Sequence, residues 1–248
     1  MELLNFSEFY QLNEMNIARN WKDSEKEEFL NLQYENLIEA LDSLKKHKIK
    51  AWCDCGTLLG LYRDKALIPG DSDSDIGVLA EDMKADYVDD FADNLTSNGS
   101  MFFTPAAFLK ICEADDDTKY VIPKGFKYQM KKNGKFKTFK GKPIMSDLFM
   151  YYPYKKDRLY LYVSDYFRTH AANVEGAVKK VTRKGQSFPL PANPEKHLEA
   201  TYGKGWKTPD PNFKGNYAKA EVYGGPLKTK DLGGRYHYNF KTGNHVIK

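Results

Sequence analysis

The stretch GTLLGLYRDKALIPGDSDSDIGVL, residues 56–79, constrains this chain more than any other. A glycine-headed turn and Arg63 are followed by three aspartates, Asp71, Asp73 and Asp75, at alternate positions, and then by an apolar run. Residues two apart on a strand share a face at about 7 Å. If the run enters a strand, Asp73 and Asp75 therefore point the same way. Like charges held together are costly unless a cation lies between them. Three readings compete. Asp, Ser and Gly form turns, so the run could be a solvated loop. It could be a calcium loop, which needs Gly at position 6 and Glu at position 12. Counting from Asp71, those positions hold Ile76 and Asp82, and a strand follows where the loop should continue. The third reading is an Asp-x-Asp site for Mg²⁺ or Mn²⁺, hard cations that take carboxylate oxygens and leave positions open for phosphates. Such a site wants a further carboxylate from a neighbouring strand. Asp147 interrupts the apolar run PIMSDLFMYY and is the best candidate. Its alternative is a strand-end aspartate facing water.

Gly56 and Thr57 add to the metal reading. Glycine lets backbone approach a phosphate, and its neighbour supplies N–H and hydroxyl donors. Arg63 could grip a phosphate with two parallel hydrogen bonds, or be an ordinary surface arginine.

Around this stretch the pattern is α/β. Ser24–Lys48 is predicted as a helix: Ser24 and Glu27 have capping-box spacing, Leu30, Tyr34, Leu37, Ile38, Leu41 and Leu44 form an apolar face, and Lys45 and Lys46 suit the negative C-terminal end. AWCDC is predicted as a strand, GTLLGLYR as a turn opening into a short helix, and DIGVLA as a second strand. Residues 81–95 read as an acidic amphipathic helix. Residues 101–163 are strand-rich, with a hairpin signal at Asn133-Gly134 and another at KKDR. A short helix is expected over Glu195–Tyr202, and from Gly203 on the chain reads as irregular. One domain over 1–248 is expected, with a core over about 24–165 and a C-terminal subregion over about 166–248.

Composition narrows the function classes. Aromatics are plentiful at 14% and the net charge is only +4, which does not by itself point to nucleic acid. No apolar run reaches the 18 residues that a membrane helix requires, and the N-terminus does not read as a signal peptide. Three cysteines without a signal fit a reducing compartment, so a cytoplasmic location is expected. Cys53 and Cys55 would share a strand face, but no second pair completes a zinc tetrahedron. The lysine-rich run KGFKYQMKKNGKFKTFKGK reads as a solvated hairpin or as an electropositive rim for an anionic donor.

Three stretches in order resemble the LicD family, which includes the fukutin and fukutin-related proteins: GTLLGLYRDKALIPGDSDSDIGVLAED, GKPIMSDLFMYYPY, and FPLPANPEKHLEATYGKGWKTPDP with its YG-x-x-W-x-x-P core. The resemblance implies an α/β (α+β) fold with a nucleotidyltransferase-like mixed sheet flanked by helices. It implies metal-dependent transfer of a phospho-substituent, such as phosphocholine or an alditol phosphate, from a CDP-activated donor to a glycan hydroxyl, with release of CMP. By position, Asp73 and Asp75 match the metal pair and Asp147 the third acidic residue, with Asp71 close enough to be an outer ligand. Gly56 and Thr57 match the phosphate-contacting turn, and Arg63 the family's arginine. The implied partners are that donor and a glycan acceptor, with no specific nucleic acid and at most peripheral contact with a membrane-linked acceptor. Gly70 stands where the family often has Trp, and Ser72 and Ser74 where larger or acidic residues are frequent. A nucleotidyltransferase moving NMP onto an acceptor is the alternative within the same fold.

Overall fold

The computed structural model describes residues 21–82, 99–102, 108–113, 119–123, 125–132, 135–162, 165–210, 222–223, 237–239 and 244–246. The first element, α1 (Asp23–Lys46), starts one residue before the predicted boundary. Its cap differs from the expected one: the Glu25 carboxylate accepts the Lys22 N–H at 2.7 Å, so the capping contact forms two residues earlier than Ser24 and Glu27 would have it. The buried stripe holds Phe29, Leu32, Gln33, Tyr34, Asn36, Leu37, Ala40 and Leu44. Leu30, Ile38 and Leu41 sit at its flank. Two polar residues thus lie where helical periodicity alone reads solvent.

Strand β1 (Ala51–Cys53) is followed by α2 (Cys55–Leu59), which widens into a π turn over Gly60–Asp64. Strand β2 (Ser74–Leu79) comes next. β1 ends before Cys55, so Cys53 and Cys55 do not share a strand face as the sequence suggested. Asp54 stops the strand because its carboxylate caps α2 by accepting the Cys55 N–H at 2.8 Å. The predicted acidic helix at residues 81–95 lies outside the described residues apart from a 3₁₀ turn, Ala80–Asp82.

The strand-rich middle forms as expected. Numbering strands in chain order, β3 is Gly99–Phe102, β4 Phe108–Glu113, β5 Lys119–Pro123, β6 Gly125–Lys132 and β7 Lys135–Phe136. Then come β8 (Thr138–Phe139), β9 (Lys142–Pro143), β10 (Ser146–Tyr154), β11 (Asp157–Tyr162) and β12 (Asp165–His170). β6 and β7 pair antiparallel across residues 133–134, as the Asn-Gly signal predicts. β10 and β11 pair across Lys155-Lys156. After the short helix α3 (Ala171–Val174) a hairpin of β13 (Lys179–Arg183) and β14 (Gln186–Leu190) forms, which the sequence reading missed. Its two-residue loop has φ +46° at Lys184 and +74° at Gly185, the left-handed pair that tight hairpin turns use. Helix α4 (Pro194–Tyr202) matches the expected C-terminal helix, with Asn193 as its cap. Beyond it, β15 (Val222–Tyr223), β16 (His237–Asn239) and β17 (Asn244–Val246) are described. The rest of the predicted irregular extension after residue 210 lies outside the described residues.

The main sheet is mixed. Among the described residues it has nine strands, with the path β1-β2-β10-β11-β12-β15 and β6, carrying β3 and β7, also paired to β10. β2 and β10 run parallel, while the other pairings are antiparallel. A separate four-stranded sheet has the order β17-β16-β5-β4. β10 is the central strand and its first seven residues are buried, so it reads as a continuous apolar run rather than an alternating one. One face of β2 and β10 carries Ile76, Val78, Leu148, Met150 and Tyr152 into a core shared with α1, Phe188, Leu190 and Leu198. The other carries Phe149 and Tyr151 into a smaller cluster with Trp52, Tyr160, Phe167 and Val174.

Candidate active site

Parallel pairing places Asp75 of β2 directly beside Asp147 of β10, with Ser74 beside Ser146 one step earlier. Neighbouring residues in register point to the same face. The two carboxylates therefore share the face of the smaller cluster, at the strand ends, and both are more than nine-tenths buried. Asp73 lies one residue before β2, in the loop that also holds Asp71.

The turn before α2 is built around Asp75. Its Oδ2 accepts the Gly56 N–H at 2.9 Å and the Thr57 N–H at 3.4 Å. The Thr57 hydroxyl accepts the Asp75 N–H at 2.8 Å, and the Asp75 carbonyl accepts the Asp54 N–H at 2.9 Å. Gly56 is required by close approach rather than by its own φ. A Cβ there would stand 2.8 Å from Asp71 Oδ2 and 3.4 Å from Asp75 Oδ2. The Asp71 and Asp75 carboxylates therefore converge over the Gly56 α-carbon. Burial pushes the Asp75 carboxyl well above the usual carboxylate range, and Asp73, Asp71, Asp147 and Asp54 push it further.

The loop carrying these aspartates is tied to α1. Gln33 Nε2 donates to the Asp71 carbonyl at 2.8 Å and to the Asp73 carbonyl at 3.2 Å. Asn36 donates to Ser146 Oγ at 2.8 Å and accepts the Met130 N–H at 2.8 Å, and Ser146 Oγ lies 2.6 Å from Ser74 Oγ. These residues were not singled out from sequence. The available signal was two amide side chains at i and i+3 inside an otherwise apolar helix stripe.

A second buried polar group lies behind the turn. Asp54 Oδ1 is 2.7 Å from His197 Nε2 of α4, and Asp54 Oδ2 accepts the Tyr151 hydroxyl at 2.5 Å. Burial, with Asp54 next, raises the Tyr151 phenol far above its ordinary range, which keeps it a donor. Cys53 is held as a thiol by burial, with Asp54 and Asp75 adding to the effect. That disfavours the thiolate a zinc site needs.

Arg63 stands apart from the aspartates. Its guanidinium forks onto Asp64 with two bonds of 2.7 Å and donates to the Trp206 carbonyl at 3.2 Å. In this arrangement it fastens the YG-x-x-W segment to the π turn. The Tyr62 ring lies 5.9 Å from the Trp206 ring, and the Tyr62 hydroxyl donates to Glu195 at 3.1 Å. In the lysine-rich run, register sets Lys127 opposite Asp147. Lys140 pairs with Glu25 at the start of α1.

The donor set consists of carboxylate oxygens alone, suited to a hard divalent cation. Among the described residues no three His, Cys, Asp or Glu side chains form a complete metal-holding group. A hard cation at these carboxylates would need phosphate oxygens and water in its remaining positions, the usual habit of Mg²⁺.

Comparison with known proteins identifies the family. The family model LicD/FKTN/FKRP, nucleotidyltransferase domain, matches residues 48–193, more than half of the chain. The chain belongs to the LicD family. Membership supports a transferase of that family acting in glycan modification. The matched span runs from just before β1 to Asn193, the cap of α4, and so includes the glycine turn, the aspartate loop and β10. Two curated relatives are similar over 49 residues at 43% identity: "Uncharacterized protein RP689" of Rickettsia prowazekii (strain Madrid E) and "Uncharacterized protein RT0683" of Rickettsia typhi (strain ATCC VR-144 / Wilmington). That similarity covers 20% of this chain and only 18% and 16% of theirs. No described helix is long and apolar enough to cross a membrane.

Proposed function

We propose that this chain transfers a phospho-substituent, of the phosphocholine or alditol phosphate type, from a CDP-activated donor to a glycan hydroxyl and releases CMP. The observation that carries this reading is the in-register pairing of Asp75 and Asp147 on adjacent parallel strands, inside a domain of this family. Transfer at phosphorus relies on charge neutralisation and in-line placement more than on covalent help from the protein. Asp73, Asp75 and Asp147, with Asp71 beside them, would hold Mg²⁺ or Mn²⁺, which supplies Lewis-acid neutralisation of the diphosphate. Asp75 is aimed by the Gly56 and Thr57 amides, so its carboxylate needs no reorganisation when the donor arrives. Asp147 either shares that duty or accepts the proton of the attacking hydroxyl. The acidic face keeps a bare diphosphate out by repulsion, and only the metal-bound donor matches it. Arg63 joins the donor's phosphate contacts only after leaving Asp64.

A second reading, transfer of NMP to an acceptor, is favoured by the nucleotidyltransferase character of the domain. Donor labelled in the cytidine ring separates the two. Labelled CMP free in solution supports the proposal, and label retained on the acceptor supports the alternative. Turnover at near wild-type rate in Asp75→Asn would remove both.

A further inference from the structure

Behind the glycine turn lies a buried hydrogen-bonded group in which neither Asp54 nor His197 reaches solvent. Asp54 is 0% exposed, Tyr151 0%, Thr169 0% and His197 1%. Asp54 is the residue on which the turn depends. Its carboxylate accepts the Cys55 N–H, its carbonyl accepts the Leu58 N–H at 2.7 Å, and its own N–H donates to the Asp75 carbonyl. The next residue, Cys55, has φ +39°, in the left-handed region that a side-chain-bearing residue adopts only at a cost. That strained residue reverses the chain so that the Gly56 and Thr57 amides meet Asp75 Oδ2. A strained backbone persists only where its surroundings over-determine it.

Those surroundings come from elsewhere in the chain. α4 brings His197 Nε2 to 2.7 Å from Asp54 Oδ1, and β10 brings the Tyr151 hydroxyl to Oδ2. The imidazole is itself oriented. Its Nδ1 lies 3.2 Å from Thr169 Oγ1, and that oxygen accepts Asn173 Nδ2 at 3.0 Å. With the oxygen already accepting, the Thr169 hydroxyl proton is available to Nδ1, leaving Nε2 protonated towards Asp54. Neither Thr169 nor Asn173 belongs to the aspartate loop.

We propose that His197 is a positioning residue for the active site, acting through Asp54 and the strained Cys55 turn to aim the Gly56 and Thr57 amides at Asp75. This inference rests on the transferase reading only for its kinetic consequence, since the geometric consequence stands by itself. His197 does not touch the substrate side, so its removal should lower kcat and leave the donor KM nearly unchanged. Gln at this position can return an N–H to Asp54 Oδ1, whereas Phe fills the space without a donor.

The test compares His197→Phe, His197→Gln and Tyr151→Phe with wild type, using kcat and KM for the donor and the ¹H–¹⁵N shift of the Gly56 amide in glycine-labelled protein. His197→Phe should lower kcat by about tenfold or more, the range typical of lost outer-shell partners, with donor KM within about twofold, and should move the Gly56 amide. His197→Gln should restore kcat to within about threefold of wild type, with Tyr151→Phe intermediate. A folded His197→Phe with wild-type kcat and an unmoved Gly56 amide would overturn the proposal. So would equal losses in the Phe and Gln variants, because bulk packing alone would then explain both. If His197→Phe does not fold, Tyr151→Phe decides: an unmoved Gly56 amide and unchanged kcat overturn the inference. Should Asp75→Asn keep full turnover while the Gly56 amide still answers to His197, the transferase site is misassigned but the positioning group is real.

Discussion

At the start of the β2–β10 pair, polar residues lie in register on both faces, with opposite surroundings. Ser74 and Ser146 face α1, and Asp75 and Asp147 face away from it, each pair in register one step apart. On the serine face every contact is complementary: Asn36 meets Ser146, Ser146 meets Ser74, and Asn36 takes the Met130 N–H. On the aspartate face burial penalises the charged form of Asp75 most, and the neighbouring carboxylates Asp73, Asp71, Asp147 and Asp54 add to the penalty. A buried polar group that is fully matched holds a fold together, whereas one crowded with like charges stores an interaction for something not yet bound. The contrast sets a matched polar cluster beside a crowded one, on adjacent residues of each strand.

Substitutions on the two faces should therefore fail in different assays. The largest effect is expected for Asp147→Asn, which should lower turnover by about a hundredfold to a thousandfold, the scale of losing a preorganised charge at phosphorus. Its melting temperature should hold or rise, because one member of a repelling set is gone. A clear loss of stability would place Asp147 with the structural cluster instead. Asn36→Ala should do the reverse, costing about 2–4 kcal/mol in denaturant unfolding by leaving the Met130 N–H and Ser146 without their buried partner, with kcat in the surviving folded protein near wild type. Gly56→Ala is expected to lower turnover by about tenfold to a hundredfold, since its Cβ would lie 2.8 Å from Asp71 Oδ2 and displace that carboxylate. Full activity there would show that Asp71 is not held against the site. The smallest effect is expected for Ser74→Ala, about 1 kcal/mol of stability from one lost hydroxyl contact and no change in kcat.

Much of this was legible in the sequence. Turn chemistry announced the β6–β7 and β10–β11 hairpins, and Asp147 stood out because a lone carboxylate in an apolar strand needs a reason. The convergence of Asp75 with Asp147 needed the parallel register, which no local pattern specifies. Gln33 and Asn36 were invisible to hydrophobic periodicity because their burial depends on hydrogen bonds to a loop 38 to 40 residues away and to strands beyond it. Asp54 was read as part of a strand, since nothing local shows that its side chain turns back to cap α2 while meeting His197, 143 residues further on. Arg63 looked like a phosphate ligand by type and position, and its fork onto Asp64 follows from their adjacency in the π turn.

The most direct measurement is a calorimetric titration of Mn²⁺ into the protein with CDP present, for wild type and Asp75→Asn. A saturable site in wild type that is lost in the variant is the expected result. Equal Mn²⁺ binding by both proteins would contradict the central claim that the converging aspartates hold a divalent cation against a diphosphate.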